Sequence, residues 1–321
     1  MREERSSSKG KEKISVVFMG TPEIGSYALK ALLDNNAFDV KTVICQPDKV
    51  SGRKKEVEFS PVKKMAIENN LTIYQPNKLG EISNELENLS PDLFVTCAYG
   101  KFIPEKILQI PKYGCINAHA SILPKYRGGA PIHWAVINGE ISTGVTLMKT
   151  IKEMDAGDYF IDYKIMIEES DNTSTLFKKM NDVVYKIIYE QLENIVMGKL
   201  KPIKQDESKV SFALNIKREQ EKLNLNLNAN SFKNWVRGLA DKPGGYLFYK
   251  NKSIKIFLCE ITNIPSQGEV GKIVDIKKDG IYINTLDFVI KIVEFQIEGK
   301  NRINIKNFSS NSFFVIGERF E

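Results

Sequence analysis

The sequence predicts an α/β fold in two parts, a parallel-sheet domain followed by a smaller β-rich domain. From residue 14 to residue 200, short apolar runs alternate with stretches of helical periodicity, the texture of a parallel sheet with right-handed crossovers. Beyond residue 201 the pattern changes to apolar residues alternating with polar ones, punctuated by hairpin signals. A length of 321 residues, 42% of them apolar, supplies material for two hydrophobic cores.

Residues 14–19 (ISVVFM) form an apolar strand that meets Gly20-Thr21-Pro22, after which Ile24, Tyr27, Ala28, Ala31 and Leu32 recur at helical spacing. Residues 40–45 make a second strand. Gln46-Pro47-Asp48 then opens a polar, basic loop that ends where Ser60-Pro61 starts a helix through residue 69. Strands over 71–74 and 92–98 enclose a helix over 79–89, and after residues 103–108 the chain turns at Pro111 and Gly114 into a strand at 115–119. A loop rich in proline and glycine, 121–129, leads to a helix over 131–137. Strands over 143–151 and 159–167 flank a turn at 152–158, which is expected to leave the same sheet edge as the strand at 115–119. One long amphipathic helix spans 173–197, capped by Asn172 or Thr173 and stopped by Gly198.

In the carboxyl-terminal part, Ile254, Ile256 and Leu258 alternate with polar residues, and 288–295 continues the pattern. Residues 272–276 and 281–284 flank Lys278-Asp279-Gly280, a hairpin signal. Helical periodicity is confined there to 231–239, so a small antiparallel barrel or sandwich is predicted. The expected limits are a solvated tail at 1–13, a first domain at 14–200, a linker at 201–210 and a second domain at 211–321.

Composition narrows the chemistry. No apolar run approaches the ~18–20 residues that span a bilayer, and the charged start does not resemble a signal peptide, so no membrane association and a cytoplasmic location are expected. Cys45, Cys97, Cys115 and Cys259 show neither metal-ligand nor disulfide spacing, and no metal site is predicted. With two histidines in the chain, any imidazole chemistry must use His119 or His133. His133, after Pro131 at a helix start, reads as solvent-facing or capping. The formal charge is +6, and Lys49, Arg53, Lys54 and Lys55 concentrate in one loop, either a phosphate-binding face or a solvated one.

The densest cluster of chemically capable residues runs from Gly114 to Ile132. In a strand that ends at the carboxyl edge of a parallel sheet, Asn117 and His119 are two apart and project to one side. An amide beside an imidazole suits acyl transfer: the amide donates to an oxyanion while the imidazole moves an amine proton. The same pair could equally be a turn former and a hydrogen-bonded core histidine. Asp155 or Asp158, in the turn at 152–158, could bring a carboxylate to His119. The turn Gly20-Thr-Pro-Glu-Ile-Gly25 lacks the spacing of a dinucleotide-binding loop and reads as strand-to-helix geometry.

Asn117-x-His119-x-Ser121-Ile-Leu-Pro124, then Tyr126-Arg127-Gly128-Gly-Ala-Pro131-Ile132 and Asp155-Ala-Gly-Asp158, resemble the signature of folate-dependent formyltransferases. Met19-Gly-Thr-Pro-Glu23, Gln46-Pro-Asp48, Gly52-Arg-Lys-Lys55, Ser60-Pro-Val-Lys63 and Ala98-Tyr-Gly100 fall where that family has similar segments. The resemblance runs from residue 14 to 200 and weakens beyond, where Arg237–Gly245 looks like a degraded form of a family motif. It implies a Rossmann-like domain that uses 10-formyltetrahydrofolate as formyl donor, and an OB-like barrel that helps hold a tRNA. The implied acceptor is methionyl initiator tRNA, and the implied state is a monomer.

Carried over by position, the resemblance makes Asn117, His119 and Asp155 catalytic and Ser121, Ile122, Leu123 and Pro124 folate-contacting. Tyr99 and Gly100 would shape the pterin pocket, and Arg53, with Lys54 and Lys55, would contact the tRNA acceptor stem. The rival acceptors are glycinamide ribonucleotide and a nucleotide-linked amino sugar. A hydrolase of the same cofactor would share the site, and a non-catalytic nucleic-acid binder would leave it without purpose.

Overall fold

The computed structural model describes residues 12–51, 56–308 and 313–321; Arg53, Lys54 and Lys55 lie outside the described residues. The chain divides into two compact units, one of residues 1–119, 145–163 and 180–207 and the other of 120–144, 164–179 and 208–321.

In chain order the elements are β1 (Ile14–Gly20), α1 (Glu23–Asp34), β2 (Phe38–Ile44), β3 (Lys49–Ser51), β4 (Glu56–Glu58), α2 (Pro61–Glu68), β5 (Thr72–Tyr74), α3 (Ser83–Leu89), β6 (Leu93–Cys97), α4 (Glu105–Leu108) and β7 (Cys115–His119). They continue as α5 (Pro131–Ile137), β8 (Ser142–Lys149), β9 (Tyr159–Met166) and α6 (Thr173–Val196). The first unit is organised by a seven-stranded sheet in the order β5-β2-β1-β6-β7-β8-β9. β1 lies inside the sheet, between β2 and β6, and is buried along nearly its whole length, which is why its sequence reads as a continuous apolar run. From β1 the chain builds outward through β2 and β5, then returns to build β6 and β7 on the other side. The loops after β1 and β6 therefore diverge at the carboxyl edge, the place where open α/β sheets hold ligands. Gly25 lets α1 pack closely there, since a Cβ on it would lie 3.0 Å from the Cys97 carbonyl oxygen. Met180, Val184, Ile187, Ile188 and Leu192 recur at helical spacing along α6 and are fully buried.

The parallel pattern does not extend to β8. It runs antiparallel to β7, with Thr146 beside His119 and Lys149 beside Ile116. The turn at 152–158 thus starts from the amino end of β7, not from the carboxyl edge the sequence predicted. It doubles back because the Thr150 N–H donates to the Cys115 carbonyl at 2.8 Å and the Lys149 N–H to that of Asp158 at 2.8 Å. In the predicted linker, Ile203 pairs with Tyr159 through hydrogen bonds of 3.0 and 2.7 Å, so this stretch carries sheet-like contacts in the first unit. The helix at 173 is capped by Asn172, whose side chain accepts from the Thr175 N–H at 2.9 Å.

Asp92 ties the sheet together at its amino edge. Its Oδ2 accepts from the Ser15 N–H at 2.8 Å and from the Ser15 hydroxyl at 2.6 Å, and these bonds hold its carboxyl below the usual range. A group with a depressed folded pKa stabilises the fold above its unfolded pKa and loses that contribution as pH falls through the folded value. Asp92→Ala is expected to lower the unfolding free energy by about 1–2 kcal/mol at pH 7. The gap should close once the pH drops below the ordinary aspartate value of about 3.9 and through the depressed one. Urea melts of both proteins at pH 7 and in acid check this; a gap that persists in acid removes the carboxylate as its cause.

The second unit contains α5, α7 (Ala229–Leu239), β10 (Gly245–Tyr249), β11 (Lys252–Pro265), β12 (Ile273–Lys277), β13 (Gly280–Asn284), β14 (Phe288–Ile297) and β15 (Ile303–Asn304). Its sheet is antiparallel, in the order β10-β11-β14-β13-β12 with β15 beside β14. Leu247, Ile254, Ile256, Ile281, Ile283, Ile290 and Ile292 alternate inward and pack with Phe232, Val236 and Leu239 of α7. The end of the chain joins the two edge strands: the Ile273 N–H donates to the Glu318 carbonyl, and Phe248 and Glu321 exchange backbone bonds of 2.8 Å. This closes the sheet on itself.

Candidate functional site

β7 ends in Asn117-Ala118-His119, and strand alternation places Asn117 and His119 on the same side. Asn117 pairs in register with Thr96 of β6, whose hydroxyl donates to Asn117 Oδ1 at 2.8 Å. With its oxygen engaged, the carboxamide is oriented, and its Nδ2 hydrogens are what it can offer to a reacting oxygen. The His119 Nδ1 lies 3.6 Å from Asp155 Oδ2, with side chains 6% and 18% exposed. A carboxylate on the Nδ1 side favours the Nδ1–H tautomer. Of the two aspartates the sequence left open, Asp155 is the one whose carboxylate stands beside the imidazole.

The turn that carries Asp155 is tightly determined. Asp155 adopts φ +49°, a left-handed conformation uncommon for residues other than glycine. Gly157 admits no side chain, because a Cβ there would lie 1.9 Å from the Lys149 carbonyl oxygen. Gln205 donates from Nε2 to the carbonyl oxygens of Asp155 and Gly157 at 2.8 and 2.7 Å. Sequence reasoning identified neither Thr96 nor Gln205. A threonine inside a buried strand and a glutamine in a charged stretch carry no pattern of their own.

Tyr99 follows β6, and its ring lies in the core of the first unit with Met19, Ile44, Leu79 and Phe94. Burial pushes its phenol up to about 12, and among the described residues its hydroxyl has no hydrogen-bond partner. Its carbonyl accepts from Gln46 Nε2 at 2.8 Å, so the loop is fixed through its backbone. Gly100 is exposed at φ +73°. Ser121, Ile122, Leu123 and Pro124 belong to the second unit, where they form a turn: the Ser121 hydroxyl donates to the Lys125 carbonyl at 2.7 Å and the Lys125 N–H to that of Ile122 at 3.2 Å. His133 is neither a cap nor solvent-facing. Its ring packs edge-on against Phe177 at 5.7 Å, its Nδ1 is buried, and burial lowers its pKa.

β3 and β4 pair antiparallel on either side of the basic loop residues. At their base Lys63 binds Asp48 and donates to Gln75 Oε1 at 2.7 Å, and this cation holds the Asp48 carboxyl below its usual range. All four cysteines are free and buried, and burial pushes the thiols of Cys97, Cys115 and Cys259 up to about 12, which removes them as nucleophiles. Among the described residues no group of three or more histidine, cysteine or acidic side chains could hold a metal ion, and no helix is long and apolar enough to cross a membrane.

A doubly wound sheet with an amide, an imidazole and a carboxylate gathered at β7, followed by a closed antiparallel sheet, defines a group-transfer enzyme. The chain belongs to the formyl transferase family: the Formyl transferase profile matches residues 12–192 and the profile of the formyl transferase C-terminal domain matches residues 215–312. It is 58% identical over 318 residues, 99% of each chain, to the methionyl-tRNA formyltransferase of Malacoplasma penetrans. With the enzyme of the same name from Mycoplasma capricolum it shares 44% identity over 96% of this chain and 99% of that one. Among solved structures, a sugar 3N-formyl transferase, WlaRD, determined with dTDP and 5-N-formyl-THF, covers 91% of this chain and is itself covered fully, with TM-score 0.65 and 20% identity. HypX from Aquifex aeolicus, in complex with tetrahydrofolic acid, matches 92% of this chain with 46% of its own, with TM-score 0.63 and 16% identity. These structural likenesses establish the fold.

Proposed function

We propose that the chain transfers a formyl group from 10-formyltetrahydrofolate to the α-amino group of methionine esterified to initiator tRNA, as a cytoplasmic, monomeric enzyme of translation initiation. The observation that carries this reading is the full-length similarity to relatives named methionyl-tRNA formyltransferase. The donor set fits the chemistry: an oriented carboxamide for a formyl oxygen, beside an imidazole and its carboxylate.

In this reaction the amine nitrogen bonds to the formyl carbon, the bond from that carbon to N10 breaks, and one proton passes from the amine to N10. Asn117 donates from Nδ2 to the formyl oxygen as negative charge builds on it. His119 moves the proton through Nε2, and Asp155 holds the ring from the Nδ1 side and supports its charged form. Residues 121–124 contact the folate, with the backbone at Tyr99 and Gly100 shaping the pterin wall. Residues 14–200 serve as the catalytic domain, and residues 211–321, an OB-like barrel, help hold the tRNA. Arg53, Lys54 and Lys55 contact acceptor-stem phosphates.

Transfer of labelled formyl from the folate donor to methionyl initiator tRNA, glycinamide ribonucleotide and an amino-sugar nucleotide tests the assignment. Turnover should be confined to the tRNA; a comparable kcat/KM on either small amine overturns it. Replacing Arg53, Lys54 and Lys55 together with alanine should raise the KM for tRNA by about tenfold and flatten its salt dependence by roughly two log–log slope units, because each lost phosphate contact removes ~0.7–0.9. The folate KM should not move. An unaltered salt dependence counts against this role for the loop.

A further inference from the structure

Gln205 is a buried polar residue that the chemistry above does not use. It sits in Lys201-Pro-Ile-Lys-Gln-Asp-Glu207, a stretch whose composition reads as linker, yet the residue is only 4% exposed. Its Nε2 donates to two backbone carbonyls, those of Asp155 and Gly157, which bracket Ala156. These two residues give the turn its shape, one through a left-handed backbone and the other through contact too close for any Cβ. A left-handed backbone is unfavourable for a residue other than glycine, so the conformation persists only where its surroundings determine it. The Asp155 side chain leaves from the same backbone that Gln205 holds, and its carboxylate ends 3.6 Å from His119 Nδ1.

We propose that Gln205 is a positioning residue for the reaction: it clamps the turn at 155–157 so that the Asp155 carboxylate meets the imidazole of His119. Through it, the segment that follows α6 is tied to the proton-transfer site. The proposal rests on the reading of Asp155 as the support of His119. It also accounts for a glutamine at this position. A single amide nitrogen satisfies two carbonyls, which a carboxylate would repel and a serine or asparagine would not span.

The test is a double-mutant cycle on the full chain, with kcat and both KM values measured for formyl transfer to methionyl initiator tRNA. Gln205→Met keeps the buried volume and removes both donors. It should lower kcat by about ten- to hundredfold, the scale of a misplaced catalytic group, with each KM within about twofold. In an Asp155→Asn background the same substitution should cost less than about twofold, because the group it acts through is already disabled. Gln205→Asn, one methylene too short to reach both carbonyls, gives the same comparison should the methionine variant unfold. Equal losses in both backgrounds, or no loss in the parent, overturn the proposal. Near-native kcat in Asp155→Asn alone is a different failure: it removes the role of Asp155, and the clamp's purpose with it.

Discussion

His119→Ala is expected to lower kcat for formyl transfer by roughly 10²–10⁴-fold, the usual contribution of a positioned acid–base group, while the KM values for the folate donor and the tRNA stay within about threefold. The size of the effect follows from placement. His119 is 5% exposed, stands at the end of β7, and has a carboxylate on its Nδ1 side, the setting the proposed proton transfer needs. The chain's other imidazole, that of His133, packs edge-on against Phe177. The three thiols with pKa values near 12 are protonated at neutral pH and buried. His119→Asn is the informative companion: it restores a polar side chain without a group that cycles a proton, and should be nearly as slow as the alanine variant. Single-turnover measurements at saturating folate and tRNA separate this loss from any change in binding. An alanine variant that turns over at near-native rate sinks the assignment.

What could be read from the sequence follows the physics of each element. β1 and β7 were legible because strands buried on both faces must be apolar and short, and because Gly20 and Gly114 mark where the chain turns. The pairing of Asn117 with His119 needed only the two-residue period of a strand. The direction of β8 was not legible, since an apolar run looks the same parallel or antiparallel; hydrogen bonds from Lys149 and Thr150 decide where the following turn goes. Lys250, Lys252 and Lys255 read as one hairpin, but the first strand of that hairpin, β10, has no sequence limits of its own. Its hairpin to β11 is made by Lys250 and Asn251 at φ +49° and +59°, the conformation of a type I′ turn, which sequence usually announces with Asn-Gly. The ring of Tyr99 lies in the core while Gly100 is exposed, a distinction that adjacent residues of one motif do not reveal. Thr96 and Gln205 are the hardest class. Their significance comes from the atom each donates to, and that partner is 21 residues away for Thr96 and about 50 for Gln205.

Asn117→Ala should cost about 10²–10³ in kcat, the range observed when one oxyanion donor is removed. The KM for the folate donor should change little, because the formyl oxygen in the ground state carries far less charge than it does as the carbon becomes tetrahedral. The Thr96 hydroxyl makes this expectation sharper. Its 2.8 Å bond to Oδ1 sets which face of the carboxamide points outward, so the amide presents hydrogens and not a lone pair to the reacting group. Asn117→Asp tests that orientation directly: it preserves shape and can still accept from Thr96, yet it places a second acceptor, and a negative charge, where a donor is required. Its loss should equal or exceed that of the alanine variant. Thr96→Val removes the hydroxyl and leaves the carboxamide in place but free to turn over, so it should lose less than Asn117→Ala. The order of kcat values, parent above Thr96→Val above Asn117→Ala and at or above Asn117→Asp, is what an oxyanion donor requires. If Asn117 merely formed a turn, Asn117→Asp, with the same shape and a strong turn propensity, would stay close to the parent.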